Sequence, residues 1–445
     1  MQEMKIPDEV LIQIFKHLSH QNLFRNVALV CKRFYNITKD PCFFQELYFK
    51  DFDNFELMPA FNVLKNAKKL KRIIIEELPL YTEIILEKAL MTKPELMSIE
   101  FRIESSRKRR RKDNSVRPYY IHCLTWRSSE LMLDYGTNLQ YLNLKHVQVD
   151  HRQLLNIAKM PKLKQLILGR LADFHSRHLD LMTAHCDMLE DLEFQCFGVI
   201  TEQSMEAFCQ SKKRFTMKRL CIGSINSRQH PIQCPVWSFN SISLLEKLES
   251  LEFNNWIYGV DEIKAKKIAK IPNLKRLAFK FDQLYPKYVQ SSYLIFNTTI
   301  VLSQLLYLMN TNKLEGILLK NFPYIHKFFC KDFALKKYPS LKSLVISTDH
   351  EWTIEPSDLK DLVKSCPKLK NLDIKGNDLS LVSDEFLCKI EDTAKFDLNI
   401  DRFVRRSLKK YRRTGTSNRK ILKNVTRYIR RGNVFDKETI LMPKY

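Results

Sequence analysis

Two runs of basic side chains are the densest chemistry in this 445-residue chain. Arg107, Lys108, Arg109, Arg110, Arg111 and Lys112 are consecutive. Such a hexamer reads either as a solvated loop or as a localisation signal or anion patch. The second run is 401–445, with fifteen Lys/Arg against three Asp/Glu. Phe403, Val404, Leu408 and Tyr411, then Ile421, Leu422, Val425 and Tyr428, form apolar stripes there, so two short helices are expected. Lys409, Lys410, Arg412 and Arg413 fall on their polar faces. Those faces suit phosphate, acidic protein or an anionic membrane surface, or simply water around a cap on the preceding structure. Of the formal net charge of +24, the tail carries +12 and 107–117 carry +6, leaving +6 for all the rest. Charge concentrated this way points to local devices rather than to a fold that coats nucleic acid throughout.

Catalytic constellations are missing from the sequence. It contains no HExxH, GxSxG, GxGxxG or GxxxxGK[ST], and its nine glycines are too sparse for phosphate-cradling loops. The eleven cysteines are scattered, odd in number and without a CxxC pair, a poor zinc site and a poor disulfide framework. No metal or cofactor is expected, and no enzyme activity. A reducing compartment fits this cysteine usage, and the first residues lack the features of a signal peptide. A cytoplasmic or nuclear location, or both, is expected. The uncharged stretch 289–312 is interrupted by Asn297, Thr298, Thr299, Ser303 and Gln304. A buried helix inserted near 290–310 is expected there rather than a membrane span.

The elements that position any function begin at the N-terminus. Pro7 suits a first helical position, and Asp8 and Glu9 suit the dipole of the first turn. Val10, Leu11, Ile14, Phe15 and Leu18 follow at helical spacing. A short second helix is expected around Leu23, Phe24, Val27 and Ala28. A third, with Val30, Cys31, Phe34, Tyr35 and Ile37, should end at Asp40-Pro41. Forty residues cannot bury so many apolar side chains alone. The helices therefore either cap the rest of the chain or offer a surface to a partner. This segment resembles an F-box over about residues 5–48, in Ile6, Pro7, Glu9, Leu11, Ile14, Phe15, Leu18, Leu23, Val30, Cys31, Lys32 and Phe34. Ile6 replaces the family's usual Leu, and Phe34 its frequent Trp. The resemblance implies docking on the Skp adaptor of a cullin-RING ubiquitin ligase. Pro7, Leu11, Ile14, Phe15, Leu18, Leu23, Val27, Val30 and Phe34 would form or support that contact.

A second pattern, L-x-x-L-x-L, recurs from Leu70 to Ile374. Clear copies begin at Leu139, Leu163, Leu189, Met217, Leu248, Leu274, Leu314, Leu341 and Leu369, and weaker ones at Leu70, Leu96 and Ile121. Most intervals match the leucine-rich repeat period of about 20–29 residues. Helical segments are expected between copies, at Asp150–Lys159, Ser176–Cys186, Thr201–Ser211, Asp261–Lys270 and Ser357–Cys366. The expected fold is α/β: a three-helix F-box over 1–50, a curved solenoid of about twelve degenerate repeats over 51–400, and a basic helical tail over 401–445. Concave parallel strands would face outer helices, with a basic loop at 105–117. The resemblance extends to F-box proteins with leucine-rich repeats, which are substrate receptors of Skp-cullin-F-box ligases.

Strand residues alternating with the buried leucines must face the other side of the sheet. Tyr141, Asn143, Asp191, Glu193, Arg219, Glu252, Arg276, Lys280, Lys320 and Lys375 are the candidates for substrate contact. Their mixed charge favours a protein partner. The expected partners are the Skp adaptor, a cullin and RING subunit through it, and a protein substrate. A nuclear scaffold binding nucleic acid or chromatin through the basic tail is the alternative.

Overall fold

A computed structural model of the chain describes residues 6–18, 23, 26–50, 63–65, 67–76, 82–102, 122–169, 172, 174–196, 200–224, 240–254, 262–280, 306, 313–322, 333–353, 356–378 and 397–399. The hexabasic loop, the tail and all of the expected inserted helix except Leu306 lie outside these residues. Two compact units divide at Leu314/Glu315.

The first unit opens with helix α1, Asp8–Phe15. Pro7 stands at the N-cap, one position earlier than the sequence suggested. Asp8 and Glu9 occupy the first turn, where the helix dipole favours acids. Arg33 reaches back to Asp8 Oδ1 at 2.5 and 2.8 Å and also donates to the Ile6 carbonyl, tying the start of α1 to α2, Lys32–Ile37. Cys31 caps α2 by accepting from Phe34 N. Between the two helices, Val27–Leu29 forms a 3-10 turn where the sequence suggested part of a helix. Leu11, Phe15, Leu23, Ala28 and Ile37 make a small core, and the Phe15 and Phe34 rings meet edge to face at 5.1 Å. Asp40 accepts from Cys42 N and turns the chain at Pro41 into strand β1, Glu46–Lys50.

That strand starts the parallel ladder of the first unit. The ladder of the first unit continues through β2 (Arg72–Glu76), β3 (Ser98–Arg102), β5 (Tyr141–Leu144), β7 (Gln165–Leu168), β8 (Asp191–Cys196), β9 (Arg219–Ser224), β10 (Ser250–Asn254) and β11 (Arg276–Lys280). Register is in phase: Leu142, Leu166, Leu192, Leu220, Leu251 and Leu277 are successive partners, and all are buried. Each stacked leucine contributes about 1.5–3 kcal/mol by burial.

The copy at Ile121 is a correction. His122–Cys123 (β4) pairs with Val147–Gln148 (β6) in a separate two-stranded sheet, and β3 pairs directly with β5. Leu124 N donates to the Gln148 carbonyl, and Thr125 at once caps a helix, so this segment cannot continue the ladder.

Helices fill the intervals: α3 (Thr82–Thr92), α4 (Trp126–Tyr135), α5 (His151–Ile157), α6 (Ser176–His185), α7 (Glu202–Gln210) and α8 (Glu262–Ile268). Their starts have local causes. Thr125 accepts from Ser128 N, Thr201 from Ser204 N, and Asp150 with Gln153 forms a capping box. Strand starts are fixed by shared carbonyls. The amides of Lys164 and Gln165 converge on Gln140 O, and those of Glu190 and Asp191 on Lys164 O. Gly169 is required: a Cβ there would lie 1.8 Å from Lys145 O. Cys186, at the turn before β8, donates to the carbonyls of Ala158 and Met160, and burial pushes its thiol up to about 12.

The second unit contains the parallel strands β12 (Gly316–Phe322), β13 (Ser343–Thr353), β14 (Asn371–Asp378) and β15 (Asp397–Asn399). Ile317, Leu344, Leu372 and Leu398 are in register. Helix α9, Pro356–Ser365, buries Leu359 and Leu362. No helix among the described residues is long and apolar enough to cross a membrane.

Candidate functional site

Two surfaces of the first unit collect the residues singled out by sequence. On the N-terminal module, the apolar stripe of α1 splits in two. Leu11 and Phe15 turn inward and are about 5 % exposed, while Val10 and Ile14 turn outward at 46 % and 49 %. Ile6 and Leu18 lie in the same outward row at four-residue spacing, and both are exposed. Leu29 and Val30, on and after the 3-10 turn, are exposed at 79 % and 67 %. Pro7 is exposed, and Val27 and Phe34 are half-buried. Leu23 is buried. The structure thus divides the nine expected adaptor residues. Pro7, Ile14, Leu18 and Val30 present surface, whereas Leu11, Phe15 and Leu23 are the core beneath it. Val10 and Leu29 were not among the expected contacts. Val10 belonged to the visible helical stripe, but periodicity alone did not say which half of that stripe faced out.

The second surface is the sheet face opposite the leucine stack. Arg219 on β9 binds three carboxylates: Asp191 at 2.8 Å, Glu193 at 2.9 Å and Glu252 at 3.1 Å. Lys280 on β11 closes on Glu252 at 2.5 Å, Lys145 lies 3.7 Å from Glu193, and Gln165 donates to Asp191. Five expected substrate-contact residues therefore form one network across β8 to β11. The alternation of the strands places them on one face at neighbouring register positions, so their side chains meet directly or along diagonals.

Burial opposes ionisation of Glu252, but Arg219 and Lys280 outweigh it and hold the carboxyl down at about 2. For Asp191 burial wins over the shared Arg219, and its pKa lies above the usual value. Burial works against the charge on Arg219, yet its carboxylates push its pKa well up. Burial raises the Cys221 thiol well above its ordinary value, so it is no nucleophile. Among the described residues no group of three or more His, Cys, Asp or Glu is placed to hold a metal ion.

Tyr141 stands 38 % exposed on the same face. Asn143 is half-buried and accepts from Lys145 N. Arg276 is half-buried on β11. Lys320 is exposed on β12 of the second unit, and the side chain of Lys375 lies outside the described residues. A smaller ion cluster on β1 to β3 was not anticipated. Arg72 bridges Glu46 and Glu100, and Arg102 also binds Glu100 at 2.7 Å. The weak repeat copies there concealed it.

Comparison with known proteins agrees with the N-terminal module: residues 4–50 match the F-box-like family. Three solved structures are similar in part. The Rad7 and Elc1 complex of yeast matches at 14 % identity and TM-score 0.47, covering 85 % of this chain and 90 % of that one. An internalin of Listeria monocytogenes matches at 15 % identity and TM-score 0.32, covering 76 % and 77 %. The leucine-rich repeat protein LegL7 of Legionella pneumophila matches at 12 % identity and TM-score 0.40, covering 79 % and 98 %.

Proposed function

The chain carries an F-box-like module joined to repeats of leucine-rich type, and we propose that it is the substrate-recognition subunit of a Skp-cullin-F-box ubiquitin ligase. The observation that carries this reading is the outward row Val10, Ile14 and Leu18 with Leu29 and Val30, on a segment that matches the F-box-like family. Exposed apolar side chains clustered on so small a module favour a partner helix or groove. In this reading Ile14, Leu18, Leu29, Val30 and Pro7 touch the Skp adaptor, and Leu11, Phe15 and Leu23 hold the surface in shape. A cullin and RING subunit join through the adaptor.

The strand face around Tyr141 and the Arg219 network binds the protein to be ubiquitinated. The chain itself performs no bond chemistry; it raises the local concentration of substrate near a ubiquitin-loaded enzyme. Affinity purification with the cullin inhibited tests both halves. The full chain is expected to retrieve the adaptor, the cullin and a substrate. Tyr141→Ala is expected to lose substrate while keeping adaptor and cullin. A chain that retrieves no adaptor contradicts the proposal.

A further inference from the structure

The turns that begin the strands of the first unit form a basic rim. Their acids are already engaged: Asp187 with Lys212, Glu190 with Lys218, Glu246 with Arg214 and Glu249 with Lys275. Lys159, Lys164, Lys247 and Lys270 have no ion-pair partner among the described residues. Successive rungs lie about 4.8 Å apart, because strand spacing sets their separation. Lys159 and Lys164 precede β7, Lys247 precedes β10 and Lys270 precedes β11, so the unpaired charges fall on three rungs of one edge between β7 and β11. Phe215 sits on this rim, in the turn before β9, and is 53 % exposed, with the Arg214 guanidinium 5.3 Å from its ring centroid. A recess of about 150 Å³ on the same rim is lined by Lys218, Lys247, Glu249, Asn273 and Lys275.

We propose that this rim binds single-stranded nucleic acid. The unpaired lysines would follow the phosphate backbone, and Phe215 would give one base a stacking platform. A linear row of cations beside an exposed aromatic is the pairing such strands require. An acidic peptide would use the lysines but has no need of the ring. These residues are distinct from those of both surfaces of the proposed ligase function, and the inference does not rest on that function.

The test is fluorescence anisotropy of the full chain with a labelled oligothymidylate of roughly 20 nucleotides across a salt series. Contributions from the tail and the hexabasic loop are common to all variants, so differences between variants report the rim. Replacing Lys164, Lys247 and Lys270 by Gln is expected to flatten the slope of log K against log salt by about 2, at roughly 0.7 per lysine. That is roughly 20-fold less loss of affinity between about 50 and 200 mM salt. Phe215→Ala is expected to weaken binding roughly 5- to 150-fold with the slope unchanged. The corresponding Lys→Arg triple should keep the wild-type slope. A Lys→Gln triple with the wild-type slope overturns the proposal. So does a Phe215→Ala variant of wild-type affinity.

Discussion

Arg219→Leu is the sharpest probe of the strand face. The guanidinium is about one-fifth exposed and bonds Asp191, Glu193 and Glu252, whose side chains are 18 %, 6 % and 13 % exposed. Leucine fills part of the volume but leaves three largely buried carboxylates with Lys145 and Lys280 as the remaining cations and Gln165 still donating to Asp191. Breaking a buried pair in this way costs about 3–5 kcal/mol. The pH dependence has a definite sign. In the wild type Glu252 titrates at about 2 in the folded state, below its ordinary value. Its contribution is therefore complete above the unfolded pKa and is lost as pH falls toward 2. Asp191 is shifted upward and acts in the opposite sense, gaining stability as pH falls. Without Arg219, Asp191 and Glu252 lose the cation that favours their charged forms and bind protons more readily when folded. The deficit of the variant should be greatest near pH 7 and shrink as pH falls through the carboxylate range. Urea unfolding by far-UV circular dichroism reads it, with midpoints compared at equal slope because repeat proteins can unfold in stages. A variant within about 1 kcal/mol of wild type near pH 7 would refute the reasoning. A gap that widens on acidification would do so equally.

Three further outcomes follow from the ladder. Leu220→Ala, in the centre of the leucine stack, should cost about 2–5 kcal/mol in the same unfolding measurement. Thr201→Ala removes the acceptor for Ser204 N and should cost about 1 kcal/mol, with Thr201→Ser recovering most of it. In the native chain near pH 8, Cys186 should resist iodoacetamide while exposed Cys31 is alkylated, as read by peptide mass spectrometry. Labelling of Cys186 at the rate of Cys31 would contradict its burial.

The repeats were legible because their information is local. Leu166, Leu192, Leu220 and Leu251 hold the same place in each copy of the motif, and Asp150 and Thr201 announce helices that the structure places within a residue or two. Ile121 misled because a leucine pattern does not reveal which strand its backbone will pair with. His122 and Cys123 found β6 instead of β3 or β5. Glu46–Lys50 was missed for the converse reason: its sequence, ELYFK, lacks the motif but its amides and carbonyls complete β2. At the N-terminus the pattern showed which residues were apolar, and only packing decided that Leu11 faced in and Ile14 out. Arg219, Glu252 and Lys280 were correctly placed on one face, yet their mutual pairing depends on register between strands roughly thirty residues apart in sequence.

The central claim is that the outward row of α1 and the adjoining turn dock on a Skp adaptor. Isothermal titration of the full chain with purified Skp adaptor tests it most directly, using Ile14→Asp with Val30→Asp. Both side chains are exposed, so the variant should keep the wild-type circular dichroism spectrum and melting curve. The account predicts saturable one-to-one binding by the wild-type chain and its loss in this variant. Binding by the folded variant at wild-type affinity would contradict the account.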